Sequence, residues 1–219
     1  MKKKSIKLIL LFTSYCTALL LLRIWFSGSL DYIFLSWNLI LAFIPLLISN
    51  GMRTVKHRPF LFYCLLIAWL FFLPNAPYMI TDIFHLKNLT SMPVWFDLLL
   101  IISFAINGIF LFYISLYQVF IMLSERFKER NLNLIVNGVL VSTAFGIYIG
   151  RFLRWNTWDV IANPLQLFKS VTAILINPVA HPKAWGFTMG YGILLFLVFQ
   201  FVKMLFFIRT SSKDQDVQR

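Results

Sequence analysis

Few residues in this 219-residue chain have both the types and the spacing for chemistry. Asp82 and His85 stand one helical turn apart. A carboxylate at that distance can orient an imidazole as a general base, and the pair could also share a divalent metal with a third ligand such as His181. Arg151 and Arg154 are again one turn apart, and two guanidinium forks make a clamp for phosphate or carboxylate. Asn75, Tyr78, Trp155, Asn156 and Asp159 flank these groups and are the candidate contacts for the rest of a substrate. The bland alternatives stand beside these roles. Asp-x-x-His is common by chance, and arginine with tryptophan is a usual anchor at a membrane surface. HExxH, paired CxxC, GxSxG and the phosphate-binding glycine loop are all missing, so no familiar hydrolase, zinc or nucleotide signature is present.

The elements that must position these residues are membrane helices. Sixty per cent of the chain is hydrophobic and 13% is charged, and the mean hydropathy is +0.80; such a chain has lipid as its main solvent. Six apolar stretches qualify as spans: 6–26, 32–49, 60–80 with a break at 74–77, 94–123, 132–150 and 185–208. The expected fold is therefore an all-α, polytopic helix bundle forming one membrane domain over 1–209. A polar, disordered tail is expected over 210–219. Met1 to Lys7 begins like a secretory signal, but Arg23, Trp25 and Phe26 stand where a cleavage site would fall, so the first span is expected to stay.

The formal net charge of +12 takes its meaning from where the bases lie. Fourteen of the 20 Lys and Arg residues fall on the side of the two termini, and the other six, among them Arg23, Arg151 and Arg154, fall on the opposite side. The positive-inside rule then places both termini in the cytoplasm and the candidate site on the outer side. Loops 50–59 and 124–131 are basic for this reason and through attraction to lipid headgroups, not for nucleic acid. Cys16 and Cys64 lie within different apolar runs, where each is expected to act as a small buried hydrophobe and not in a disulfide.

Pro74 interrupts the third apolar run after fourteen residues from Phe60, whereas about 20 are needed to cross. Backbone that leaves the helix at membrane depth is tolerated only where protein or a wet cavity covers it, so the break points to a site. At 100° per residue the continuation places Tyr78, Thr81, Asp82 and His85 on one arc and Met79, Ile80, Ile83, Phe84 and Leu86 on the other, as in a short interfacial helix. If the fifth span continues, Arg151, Arg154, Trp155 and Trp158 share a face. Gly146 and Gly150 in that span let another element approach closely. The stretch between Asn163-Pro164 and Asn177-Pro178 covers about 20 Å, too short to cross, and should lie flat or dip into the membrane. Asn38 and Asn107 are expected to join helices by hydrogen bonds, and Asp97 to sit in a first helical turn, where the backbone dipole favours it.

Trp37-Asn38, Pro74-Asn75-Ala76-Pro77-Tyr78 followed by Thr81-Asp82 and His85, and the string from Arg151 to Asp159 together resemble a bacterial integral-membrane family, domain of unknown function 1361. The resemblance covers nearly the whole chain. It implies a multi-pass protein of the bacterial plasma membrane and brings no activity, substrate or cofactor. Three roles follow for the outer site: a membrane-embedded enzyme acting on an anionic or lipid-linked substrate, a small transporter or transporter subunit built on the broken helix, or a non-catalytic scaffold. In the first, Arg151 and Arg154 hold the anion while Asp82 and His85 move protons or bind a metal.

Overall fold

A computed structural model describes residues 3–86, 92–155 and 157–217. Its elements are α1 (Lys3–Ser27), α2 (Phe34–Thr54), α3 (Pro59–Phe72), α4 (Asn75–Tyr78), a 3₁₀ segment (Met79–His85), α5 (Val94–Ser124), α6 (Glu129–Phe152), α7 (Asp159–Ala162), α8 (Pro164–Ile176), a 3₁₀ turn (Pro178–Ala180) and α9 (Pro182–Val217). Among the described residues the fold is all-helical, as the apolar periodicity requires. Six helices are long and apolar enough to cross a membrane: α1, α2, α3 with its continuation to His85, α5, α6 and α9. Helical assignment of α9 reaches Val217, into the polar stretch at the chain end.

Prolines and glycine set the boundaries. Gly28, at φ 64°, ends α1 while its N–H reaches back to Ile24, a conformation open to glycine without a side-chain clash. Pro59 and Pro164 stand in the first turns of α3 and α8, where the missing N–H costs nothing. Six alternating spans leave both termini at one end of the bundle. The other end, called distal below, carries the α1–α2 link, the 3₁₀ segment, α7 and α8.

α5 is the central post. Leu100, Phe104, Leu111, Phe112, Leu116 and Val119 along it are buried, and α1, α2, α4 and the 3₁₀ segment all pack on it, while α6 pairs with α9. Polar side chains join these helices at depth, where the alternative is an unsatisfied group in hydrocarbon. Asn107 donates to Thr13 Oγ1 at 3.2 Å, tying α5 to α1. Trp69 Nε1 donates to Ser115 Oγ at 2.7 Å, Ser115 to Ser49 at 3.2 Å, and Ser49 to Gln118 Oε1 at 2.9 Å, joining α3, α5 and α2. Both cysteines are free; Cys16 is buried, but Cys64 faces outward, contrary to the expectation for it.

At the distal end Arg23 and Asp97 form an ion pair of 2.9 Å and are 0% and 1% exposed. Asp97 does stand in the first turn of α5, yet the helix dipole is a smaller influence there than this contact. Arg23 also lies over the Tyr32 ring, 4.3 Å from its centroid, and 3.7 Å from Asp31.

Candidate functional site

The site is built by the break in the third span. α3 contains only 14 residues, about 21 Å of helix, and stops just before Pro74. The chain keeps right-handed helical dihedrals at Leu73, Pro74, Tyr78 and Met79 and passes through α4 into the tighter 3₁₀ segment, packed against bare backbone on two neighbours. Pro74 lies against Gly146, whose position would bring an added Cβ within 2.6 Å of the proline ring. Ala76 lies against Gly108, where an added Cβ would collide with the Ala76 carbonyl. The Tyr78 ring covers Gly150, 3.3 Å from where a Cβ would stand. The close approach expected at Gly146 and Gly150 is thus made by the broken segment itself.

The 3₁₀ geometry changes which residues share a face. With three residues per turn, positions i and i+3 eclipse, so Met79, Asp82 and His85 align. Met79, Thr81 and Asp82 are buried, whereas Ile83 and Phe84 are exposed on the outside of the bundle. The amphipathic helix with its polar arc in water is therefore corrected in two ways: its period is 3.0 and its carboxylate points inward.

Asp82, 1% exposed, accepts a hydrogen bond at Oδ2 from Asn38 Nδ2 of α2 at 2.8 Å. Its Oδ1 accepts none among the described residues and has Arg151 Nη1 as counter-charge at 3.5 Å. The same Nη1 lies 2.9 Å from His85 Nε2 and 3.4 Å from the Tyr78 hydroxyl. A guanidinium can only donate, so in that contact Nε2 is the acceptor. His85 also stacks obliquely on Phe34 at 4.9 Å, and its carbonyl accepts from Tyr32 at 3.5 Å. Arg151 thus stands between the acid and the imidazole. Asp82 orients His85 through the guanidinium and not by direct contact.

The other candidates separate into two groups. Asn75 donates to the Phe72 carbonyl at 3.0 Å and exchanges hydrogen bonds with Thr157, at 3.2 and 3.4 Å, closing the break against the loop after α6. Trp155 lines the cavity described below. Arg154 departs from expectation. α6 stops at Phe152, Arg154 takes φ 59°, and its side chain is exposed, with no hydrogen bond or ion pair to the described residues. A shared helical face with Arg151 is therefore not formed. Asp159 opens α7, where Asn163 donates to it at 3.5 Å. His181 stands at the turn before α9, and no polar contact among the described residues ties its ring to Asp82 or His85. No group of three His, Cys, Asp or Glu side chains among the described residues could hold a metal ion. Asn156 lies outside the described residues.

Beside this centre a cavity of about 390 Å³ runs between α2, the break, α6 and α8. Its deep end is apolar, at Leu41, Leu70 and Phe145, and its distal end carries Asn38, Asn75 and Tyr78. Trp37 and Trp158 meet edge to face at 6.4 Å on its rim. Leu167 and Val171 of α8 close it from the distal surface, while Phe168 and Leu175 of the same helix point outward. Sequence reasoning treated Asn38 as helix-joining only. It does join α2 to the 3₁₀ segment, but it also holds the buried carboxylate and lines the cavity, and the nearest signal was its place next to Trp37 in a shared string.

No curated protein and no solved structure matches the chain. A family model matches residues 37–198, a range that begins at the Trp37-Asn38 pair and takes in every side chain of the Asp82–Arg151–His85 centre. With that much of its length matched, the chain belongs to the family described as "Protein of unknown function (DUF1361)".

Proposed function

We propose that this multi-pass membrane protein is a membrane-embedded enzyme whose distal centre holds an anionic group of its substrate at Arg151 and moves protons at His85. The observation that carries this is the single guanidinium nitrogen shared by Asp82, His85 and Tyr78. An ionisable residue within a membrane bundle is costly to keep unless it faces a partner or a cavity, and this one has Asp82 as its partner. Asp82 fixes the guanidinium, and Asn38 fixes Asp82. An arriving anion competes with His85 for Arg151, because charge-assisted bonds to a guanidinium are stronger than a bond to neutral imidazole. Nε2 is then released as a general base near the bound group. The positive-inside count supports a location at the outer face of a bacterial plasma membrane.

The test is Asp82→Asn, which keeps the shape of the side chain and removes its charge. Total lipid extracts from cells producing equal membrane amounts of native and variant protein are compared by mass spectrometry. At least one species should be consumed or formed only by the native protein. Identical extracts from the two, with both proteins accumulating normally, would overturn the enzymatic role.

A further inference from the structure

The cavity has the form of half a lipid. Its α6 wall runs from Ser142 to Gly150, about 12 Å along the axis at ~1.5 Å per residue. Asn38, Asn75 and Tyr78 stand in its distal half, whereas Leu41, Leu70 and Phe145 surround the deep end beside Ser142, whose hydroxyl donates back to the Val139 carbonyl at 2.9 Å. The volume of about 390 Å³ takes on the order of a dozen methylene-sized groups, if each fills about the ~30 Å³ of a water molecule. One hydrocarbon chain fits that space.

The distal end says what the chain is attached to. The guanidinium also lies over the Tyr78 and Phe84 rings, at 5.8 and 5.4 Å, but each of its hydrogen bonds and ion pairs to the described residues uses Nη1, so the donors on Nη2 and Nε are engaged by none of the described residues. Tyr78 lies between this guanidinium and the cavity, since its hydroxyl contacts Arg151 and its ring forms part of the lining. Asn75 and Thr157 add further polar groups on the same wall. A phosphate, with several acceptor oxygens, matches a planar guanidinium fork beside a hydroxyl. Outward-facing Arg154 adds positive charge two residues beyond the end of α6.

We infer that the cavity between α2, the Pro74 break, α6 and α8 receives the chain of a single-chain amphiphile whose phosphate head binds Arg151 at the distal end. This rests on the anion-binding role given to Arg151 above and adds the hydrocarbon half of the ligand. The chain lies parallel to the bundle axis, as it would in the bilayer, so the ligand enters sideways from the lipid without turning over.

The test uses the full chain in phosphatidylcholine nanodiscs and an undecyl phosphate with a diazirine at the end of its chain, alongside the matching alcohol. After irradiation, the labelled residues are mapped by mass spectrometry. The phosphate probe should label the segments around Leu41, Leu70 and Phe145, about tenfold or more above the alcohol, the ratio that a charge-assisted contact supports. Val171→Phe, which fills the space under α8, should lower that labelling, and Arg151→Gln should erase the preference for phosphate over alcohol. Labelling spread evenly over the exposed faces of α1 and α9 would overturn the inference, because the cavity would then hold bulk lipid only. Equal labelling by both probes, unchanged in Arg151→Gln, would remove the phosphate head from it. The two proposals fail separately: loss of turnover in Asp82→Asn without cavity labelling leaves the charged centre and removes the chain.

Discussion

Replacing Gly108 by alanine tests whether the broken segment is held by backbone contact. A Cβ there would collide with the Ala76 carbonyl and come within 2.9 Å of Met79 Sδ. The carbonyl belongs to α4 and cannot rotate away as a side-chain tip could. Forcing one extra carbon into a packed interior costs about 1–3 kcal/mol, while alanine regains up to ~1 kcal/mol of helix preference over glycine. Gly138 in α6 is the internal control, because it is helical and has nothing within 4 Å of its added Cβ. Only the gain applies at that position, so the two variants should differ by about 1–3 kcal/mol, or roughly 2–12 °C in thermal midpoint for a chain of this size. Both are measured by intrinsic fluorescence during heating in one detergent. Gly108→Ala should also reduce cavity labelling, since α4 carries Asn75 and Tyr78. If Gly108→Ala melts as high as Gly138→Ala, the segment is not seated on α5 in the way described.

Two further outcomes follow. Asp97→Leu leaves buried Arg23 with only Asp31, at 3.7 Å, as a counter-charge and should cost about 3–5 kcal/mol, most of which the double variant Arg23→Met/Asp97→Leu recovers; equal losses in chemical unfolding would refute a buried pair. At the other end, Lys56 Nζ lies 2.7 Å from Glu125 and holds its carboxyl below the usual range, chiefly through that hydrogen bond. A depressed folded pKa gives stability that is present above the unfolded value and lost as pH falls through the folded one. The small difference in thermal midpoint between native protein and Glu125→Gln should therefore vanish in acid, and a difference that widens there would contradict the pairing.

How much was legible can be judged residue by residue. The Pro74 break could be read because proline removes a helix donor whatever the fold, and a run of fourteen apolar residues is shorter than a bilayer. The seating of the break at Gly146 and Gly150 was half legible: small residues announce a close approach but not what approaches. The phase of the segment after it was not, because a 100° period separates Met79 from Asp82 where a 3₁₀ turn stacks them. Arg154 was placed with Arg151 on a helix that stops at Phe152. The Arg23–Asp97 pair spans 74 positions, and nothing local in either neighbourhood names the other.

Sequence by itself determined the solvent of this protein, the number of its spans, the break in the third and the strings of polar residues that matter. Those follow from hydropathy and from proline chemistry, which act over a turn or two of chain. Only the tertiary structure decided that Asp82 faces inward, that Arg151 stands between it and His85 and that Asn38 completes the centre. These are contacts between helices distant in sequence, fixed by how glycine-bared backbones let the broken segment settle between α5 and α6.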